Sequence, residues 1–194
     1  MGDRMKVSIG VSNRHVHLKE EDLKILFGEN YTLEKLKDIN QPGQFAAKEV
    51  VTIATEKGSI ENVRVLGPIR PYTQVEISKT DAYKLGVNPP VRDSGDIENS
   101  EPISIIGPNG RIDLEKGCIL ATRHIHITPK QMELYGLEGM TKVDVLLPGE
   151  KGGILHNVTL KVSEASYFEL HIDTDDANAH LVTSKDFGEI ICTK

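Results

Sequence analysis

Two pairs of histidines are the side chains of this sequence best suited to chemistry. His15 and His17 are separated by one residue, and so are His124 and His126. In an extended strand, alternate side chains point to the same face roughly 6.5–7 Å apart, so both imidazoles of a pair can reach one ion. Imidazole is a common zinc ligand, and catalytic zinc has three protein ligands and an open fourth position. Each pair therefore predicts two of the three ligands of a catalytic metal site.

The sequence around the first pair recurs around the second, 109 residues later. A further match relates residues 75–82 to residues 170–177 at an offset of 95, and it aligns Glu76 with His171. Both residue types bind zinc, so the internal repeat nominates the third ligand of each site. The predicted ligand sets are His15, His17 and Glu76 in one half of the chain, and His124, His126 and His171 in the other.

Open metal sites are favoured over two simpler interpretations. A single His-X-His segment is compatible with an ordinary polar strand face, but two copies at equivalent positions favour metal binding. A structural zinc site usually has four protein ligands, often cysteines, and neither Cys118 nor Cys192 belongs to a Cys-X-X-Cys pair. His156 and His180 lie outside the repeat, and we interpret them as surface or supporting residues.

Short strands must position these ligands. Residues 6–11 alternate, with an apolar side chain at every second position, which is typical of a half-buried strand. Ser78 and Thr128 are predicted N-caps of short helices, because a hydroxyl can accept a hydrogen bond from the first turn. Further segments rich in β-branched residues are residues 50–53, 63–66, 143–147 and 158–162. Many short strands with capping helices predict a pair of small β-barrels or sandwiches.

The charge balance excludes some classes of partner. The chain has 23 basic and 29 acidic side chains, a formal net charge of −6. Nucleic acids and membrane surfaces attract basic proteins, so we expect neither as a partner. The sequence also lacks an apolar run of the roughly 20 residues that a membrane-spanning helix needs. Two cysteines without a secretory signal indicate a reduced, cytoplasmic protein.

Arg70 is the candidate that could bind an anion in this acidic protein. It stands six residues before Glu76, between Pro68 and Pro71, so a rigid turn could direct its guanidinium toward the first metal. The guanidinium fork suits phosphate, although an exposed turn arginine is the simpler alternative. Arg14 and Arg123 precede the two histidine pairs, and strand alternation points them to the opposite face, where they can support the strands.

Together these motifs resemble the PduL-type phosphate acyltransferases, also called phosphate propanoyltransferases. That family transfers an acyl group between coenzyme A and orthophosphate, so that acyl-CoA and phosphate give acyl phosphate and CoA. The resemblance implies the same reaction here with a short-chain acyl group. The matching segments run from near the start to near the end of the chain and are residues 12–18, 41–46, 67–76, 123–126 and 170–178.

The fold implied by the resemblance is mostly β. It consists of two pseudo-repeat β-barrels capped by short α-helices and interleaved by exchange of the N-terminal strand. We expect one barrel in residues 14–95, with an insertion at about residues 28–48. The second barrel would combine residues 4–13 with residues 120–192, and residues 96–119 would connect the two.

The resemblance also implies a dinuclear zinc site between the barrels, held by the six residues that the repeat nominates. Arg70 is then the expected phosphate contact, and coenzyme A is a substrate. Direct transfer from thioester to phosphate needs no acyl-enzyme. The coenzyme A contacts carried over from the family are Val11, Ser12, Lys57, Arg64 and Asn178.

The start of the sequence bears on localisation. Family members packaged into bacterial microcompartments carry an amphipathic extension before the first strand, whereas five residues precede Lys6 here. We therefore expect no N-terminal encapsulation peptide and a cytoplasmic protein outside any microcompartment. We also expect a homo-oligomer.

Two alternative functions remain open from the sequence. A dinuclear zinc hydrolase would use water in place of phosphate as the nucleophile, and its thioester cleavage would not depend on phosphate. A non-catalytic zinc-binding assembly module would have four protein ligands per ion and no activity on acyl-CoA.

Overall fold

A computed structural model of the chain describes residues 5–191. The described residues divide into two compact units, residues 13–121 and residues 5–12 with 122–191, which we call the first and the second unit. The expected ends of the second barrel, Arg4 and Cys192, lie outside the described residues. So does most of the segment on which the expectation of no encapsulation peptide rests.

The elements are short and mostly strands. In chain order they are β1 (Met5–Ser12), β2 (His15–His17), α1 (Glu20–Phe27), β3 (Lys35–Asp38), β4 (Phe45–Ala54), β5 (Ser59–Gly67), β6 (Gln74–Glu76), α2 (Lys79–Leu85), β7 (Val91–Arg92), β8 (Glu101–Ile106), β9 (Arg111–Ala121), β10 (His124–Ile127), α3 (Pro129–Leu134), β11 (Lys142–Leu147), β12 (Gly153–Val162), β13 (Glu169–Asp173), α4 (Thr174–His180) and β14 (Phe187–Ile191). Among the described residues, no helix combines the length and the apolar character that crossing a bilayer requires.

The second unit is a closed six-stranded barrel. Its strands follow the order β1, β13, β10, β12, β11 and β14, and β14 pairs back onto β1. The alternating strands direct apolar side chains such as Ile9, Ile125 and Leu170 into one core. The N-terminal strand β1 is thus a member of this barrel, while its origin by exchange stays a prediction.

The first unit closes in the same way. Strands β4, β5, β2, β6, β9 and β8 pair in sequence, and β8 returns to β4. In each barrel two of the six pairings are parallel, and they occupy equivalent places in the ring: β2 with β5 and β6 with β9 correspond to β10 with β12 and β13 with β1. The predicted fold of two pseudo-repeat barrels with short helices is confirmed.

Residues 96–119 differ from their expected role as a connecting segment. They supply β8 and most of β9. The side chains of Ile103, Ile105 and Ile112 are part of the hydrophobic core of the first unit. The expected insertion lies in the interval of residues 28–44 between α1 and β4, which includes the exposed extra strand β3. The corresponding interval of the second unit, residues 135–141, is shorter.

Capping side chains begin two of the helices as predicted. Ser78 accepts a hydrogen bond from the Asp81 backbone, and Thr128 accepts one from the Gln131 backbone, each within a reciprocal capping box. These caps matter for the site because α2 begins three residues after Glu76. The sharp change from strand to helix fixes the end of the strand that carries this ligand.

Candidate metal centres

The first cluster lies on two adjacent strands of the first unit. His15 and His17 stand on β2, and His15 faces Glu76 across the antiparallel pairing with β6. His15 Nε2 is 3.4 Å from Glu76 Oε2, and His17 Nε2 is 4.0 Å from Glu76 Oε1. All three residues are buried. One ligand atom from each residue lies within 4.8 Å of the others, close enough to share one ion.

Backbone carbonyls orient both imidazoles of this cluster. His15 Nδ1 lies 2.8 Å from the Asn13 carbonyl oxygen, and His17 Nδ1 lies 3.3 Å from the Leu66 carbonyl oxygen. A ring nitrogen facing a carbonyl must carry the proton, which leaves the other nitrogen with its lone pair. Both Nε2 atoms are therefore set up as ligands, and with the Glu76 carboxylate they form a donor set that fits zinc.

Burial and charge determine the protonation of this cluster. Burial, together with the positive charges of His15 and Arg70, lowers the pKa of His17 to about 3. Burial would raise the pKa of Glu76, but the two histidines outweigh it and hold that pKa far below its usual range. Burial likewise opposes protonation of His15, and the Glu76 carboxylate overcomes it and raises the His15 pKa. At neutral pH the cluster thus presents one carboxylate to an incoming cation.

The second cluster repeats this geometry with imidazoles alone. His124 and His126 lie on β10, and His124 faces His171 across the antiparallel pairing with β13. The three ring centroids are 4.8–5.1 Å apart, and the Nε2 atoms of His124 and His126 are separated by 3.2 Å. His124 Nδ1 lies 2.8 Å from the Thr122 carbonyl oxygen, as His15 Nδ1 does from Asn13.

Two imidazoles of the second cluster, those of His124 and His126, are held neutral at pH 7. Burial first, and then the positive charges of Lys161 and His171, lower the pKa of His124 to about 2. Burial and the same neighbours lower the pKa of His126 to about 4. Since neutral imidazole is the form that binds metals, neither His124 nor His126 needs to lose a proton at pH 7. Three converging nitrogens also fit zinc.

Arg70 provides a cation beside the first cluster. Its backbone nitrogen donates to the Leu18 carbonyl, one residue beyond His17. Its guanidinium donates to Tyr72 Oη at 3.0 Å, Gln44 Oε1 at 3.2 Å and Ser94 Oγ at 3.4 Å. These side-chain partners are neutral, so none of them cancels the charge. The arrangement can hold an anion next to an ion bound by His15, His17 and Glu76.

Comparison with known proteins identifies the family. A family model described as phosphate propanoyltransferase matches residues 8–183. The phosphate propanoyltransferase of Thermotoga maritima is 54% identical over 186 residues, covering 95% of this chain and 89% of the relative. The chain belongs to the phosphate propanoyltransferase family. Its motifs alone had indicated this family, and membership makes the chain an acyltransferase.

Two further relatives support the assignment over nearly the whole chain. The phosphate propanoyltransferase of Priestia megaterium is 52% identical over 182 residues, which cover 94% of this chain and 84% of the relative. That of Rhodopseudomonas palustris is 46% identical over 192 residues, which cover 99% and 84%.

The five expected coenzyme A contacts of this family member are divided between the units. Three of them belong to the second unit: Val11 and Ser12 at the end of β1, and the exposed Asn178 in α4. The other two, Lys57 and Arg64, belong to the first unit. Arg64 stands opposite His15 in the pairing of β5 with β2 and donates to the Lys48 carbonyl oxygen. Lys57, in the turn before β5, donates to the Gly86 carbonyl oxygen at the end of α2. The structure brings the six expected metal ligands into two clusters and does not link these five residues in the same way.

Two polar residues of the clusters escaped the sequence analysis. Gln74 Nε2 donates to Glu76 Oε1 at 2.6 Å, and Glu169 Oε2 lies 2.7 Å from His171 Nε2. Each stands two residues before the third ligand of its cluster. The available signal was the period of two along a strand, which places such a residue on the same face as the ligand.

Proposed function

We propose that this family member transfers a short-chain acyl group between coenzyme A and orthophosphate, using zinc held in the two clusters. The observation that carries the proposal is the guanidinium of Arg70 beside the buried cluster of His15, His17 and Glu76. This guanidinium donates hydrogen bonds to the neutral side chains of Tyr72, Gln44 and Ser94. A hydrolase that activates water has no need of a dedicated anion contact at this position. An assembly module would have four protein ligands at each ion.

Six side chains would hold the metals: His15, His17 and Glu76 one ion, and His124, His126 and His171 the other. When bound, such ions supply Lewis-acid chemistry, which polarises a thioester carbonyl and stabilises negative charge on oxygen or sulfur. The repeated His-X-His geometry and the lowered pKa values of His17, His124 and His126 support this assignment. The expectation of a single dinuclear centre stays a prediction based on the family resemblance.

The chain itself positions the phosphate. The Arg70 fork can bind two phosphate oxygens, and Tyr72, Gln44 and Ser94 hold the guanidinium before the substrate arrives. An anion contact that is already oriented costs little reorganisation during the reaction. A phosphate oxygen then attacks the thioester carbonyl, a C–O bond forms, the C–S bond breaks, and the CoA thiolate leaves. Val11, Ser12, Lys57, Arg64 and Asn178 remain the proposed contacts of coenzyme A.

The test is thiol release from acetyl-, propanoyl- and butanoyl-CoA with and without phosphate, combined with detection of acyl phosphate as the hydroxamate. We expect release to depend on phosphate and acyl phosphate to form in equal amount. Equal rates without phosphate would favour the hydrolase. Absence of activity on all three thioesters would favour the assembly module.

The metal part of the proposal has its own test. We expect exhaustive chelation to abolish transfer and two equivalents of Zn²⁺ per chain to restore it; a fully active metal-free protein would refute it. Magnetic coupling between two Co²⁺ ions per chain, measured by electron paramagnetic resonance, tests the dinuclear prediction. The expected homo-oligomer and cytoplasmic localisation outside a microcompartment are testable by ultracentrifugation and cell fractionation.

A further inference from the structure

Gln74 joins the expected metal ligand Glu76 to a loop that follows it in the chain. Its side chain is buried, and it stands on β6 two residues before Glu76. Its Nε2 donates to Glu76 Oε1 at 2.6 Å and to Ser94 Oγ at 2.9 Å. Its Oε1 accepts a hydrogen bond of 2.7 Å from the backbone nitrogen of Gly95. Both ends of the amide are therefore engaged, one by the strand of the ligand and both by the loop between β7 and β8.

The partners of Gln74 determine which way its amide faces. A backbone N–H only donates hydrogen bonds, and an ionised carboxylate only accepts them. The amide oxygen must therefore face Gly95, and the amide nitrogen must face Glu76. A glutamate at position 74 could not donate, and a methionine could neither donate nor accept in the same way. The position thus needs the two different ends of an amide.

Ser94 connects this network with Arg70. Its Oγ accepts a hydrogen bond from Gln74 Nε2, and a guanidinium N–H of Arg70 reaches the same oxygen at 3.4 Å. A side-chain hydrogen bond also joins Ser94 to the Glu76 carboxylate. A hydroxyl has one hydrogen to donate and two lone pairs, so these three partners use its full capacity. One hydroxyl therefore contacts both the proposed phosphate-binding residue and a proposed zinc ligand.

We propose that Gln74 and Ser94 are positioning residues that hold Arg70 and Glu76 in separate, fixed orientations, the guanidinium for phosphate and the carboxylate for zinc. The inference rests on the proposed function of these two groups. A guanidinium and a carboxylate attract each other and readily form a bidentate pair. Contacts with Ser94 and Gln74 satisfy each group without such a pair. Loss of these contacts should let Arg70 turn toward Glu76, which weakens phosphate binding and zinc binding together.

The backbone next to Ser94 supports the inference through a different contact. Gly95 has a φ of 99°, in the region that favours glycine, and this conformation accompanies the hydrogen bond from its N–H to Gln74. A Cβ atom at this position would lie 3.2 Å from Tyr72 Oη. The same hydroxyl of Tyr72 accepts a hydrogen bond from Arg70 at 3.0 Å. The loop thus packs closely against the side chains that orient both Glu76 and Arg70.

The first measurement compares the two substrates. Ser94→Ala removes the hydroxyl without adding bulk, and we expect it to raise KM for phosphate about 10-fold while KM for acyl-CoA stays within about twofold. Ser94→Thr retains a hydroxyl and should recover most of the loss. The matched control is Ser104→Ala, because Ser104 likewise accepts a hydrogen bond from an arginine, Arg111, and bonds to a carboxylate, Asp113. The control should leave both KM values unchanged.

The second measurement is zinc binding, which does not depend on turnover. Gln74→Met keeps approximately the volume of the side chain and removes the hydrogen bonds of the amide. Titrated with Zn²⁺ against a chromophoric chelator, this variant should bind one of its two ions about 10- to 100-fold more weakly than the wild type. In the Co²⁺-loaded protein, Gln74→Met should shift the absorption bands that Glu76→Ala removes. The bands that His124→Ala removes should stay unchanged.

The results that contradict the inference differ from those that contradict the proposed function. Wild-type KM for phosphate and wild-type zinc affinity in both Ser94→Ala and Gln74→Met would overturn the inference. Equal rises of both KM values in Ser94→Ala would also overturn it, since they indicate a general structural loss. Should Gln74→Met fail to fold, Ser94→Ala carries both measurements, because Ser94 is only half-buried. A wild type that binds no zinc, or that releases thiol without phosphate, would instead overturn the proposed function.

Discussion

The two barrels present the same ligand scaffold with different chemistry. In each, a His-X-His strand pairs antiparallel with the strand of the third ligand, and the first histidine faces that ligand directly. The third ligand is Glu76 in the first unit and His171 in the second. The residue two positions earlier is Gln74 in the first and Glu169 in the second, so the carboxylate stands at the third position of the cluster in one unit and two residues before it in the other. The two units share this backbone geometry, whereas the individual side chains set the charge of each cluster.

The loops before the third ligands differ as well. Arg70 stands six residues before Glu76, and Ala165 stands six residues before His171. The second loop, residues 163–168, contains no lysine or arginine and carries Glu164. The arginine proposed to bind phosphate therefore has no counterpart at the equivalent position of the second unit. The comparison indicates a division of roles between two geometrically similar clusters.

Removal of one ligand from either cluster should have the largest effect. We expect His15→Ala and His124→Ala each to lose one zinc ion and to lower kcat by at least about 10³-fold, because Lewis-acid stabilisation of several kcal/mol disappears. Metal analysis and thiol-release kinetics measure both effects. His156→Ala is the control, since that exposed ring bonds to Asp144 outside the clusters. High activity in only one of the two variants would show that one cluster is dispensable.

Loss of Arg70 should lower kcat/KM for phosphate more than kcat/KM for acyl-CoA. Arg70→Ala is expected to lower kcat/KM for phosphate by about 10²-fold or more, the scale of a lost oriented anion contact. Arg70→Lys should recover only part of this, because lysine lacks the planar fork. Arg111→Ala, at an exposed arginine of the same unit, is the control. Unchanged phosphate kinetics in Arg70→Ala would remove the asymmetry between the units.

The arginines before the histidine pairs allow a comparison of stability. Arg14 makes a bidentate pair with Asp81, and Arg123 makes one with Asp176. The Asp81 side chain is 5% exposed and that of Asp176 is 18% exposed. Removal of Arg14 therefore leaves the more deeply buried carboxylate without its arginine partner and should destabilise the fold more. We expect Arg14→Ala to cost about 2 kcal/mol and Arg123→Ala about 1 kcal/mol in urea unfolding.

A matched surface pair controls for the loss of charge alone. Lys35→Ala breaks the exposed pair of Lys35 with Asp38 and should cost less than about 0.5 kcal/mol. Equal costs for Arg14→Ala and Arg123→Ala would contradict the expected dependence on burial.

Acid should destabilise the metal-free units unequally. An unfolded histidine titrates near pH 6.5, whereas His124 and His126 bind protons only near pH 2 and 4 when folded. Between pH 6.5 and 4 the unfolded chain therefore binds protons that the folded second unit does not, and stability falls as the pH falls. In the first unit His17 acts in the same direction, but the raised pKa of His15 means that the folded state gains a proton, which opposes the loss.

Hydrogen exchange can measure this difference. Between pH 7 and 5.5 the second unit should lose about 1 kcal/mol more protection than the first, comparing β10 and β13 with β2 and β6. Equal losses in the metal-free protein would mean that the two clusters have the same protonation behaviour.

The spacing of residues along the chain was enough to predict the six candidate metal ligands. A period of two makes His15 and His17 share a strand face, and the repeat offset alone pointed to Glu76 and His171. Residues 96–119 were harder to interpret, because their turn-rich start concealed the alternating pattern of β8 and β9 that closes the first barrel. Glu169 and Gln74 were missed because a glutamate or glutamine on a strand has no distinctive pattern until its partner across the strand is known.

The sequence by itself determined the family, the mostly β character, the repeat and the residue types available to bind metal, because these depend on local periodicity and residue identity. Only the tertiary structure decided which ring nitrogens face backbone carbonyls and which carboxylate touches which imidazole. Those properties depend on pairing between residues far apart in the chain, such as Gly10 with His171. Contacts between paired strands set them, and no local sequence pattern records such contacts.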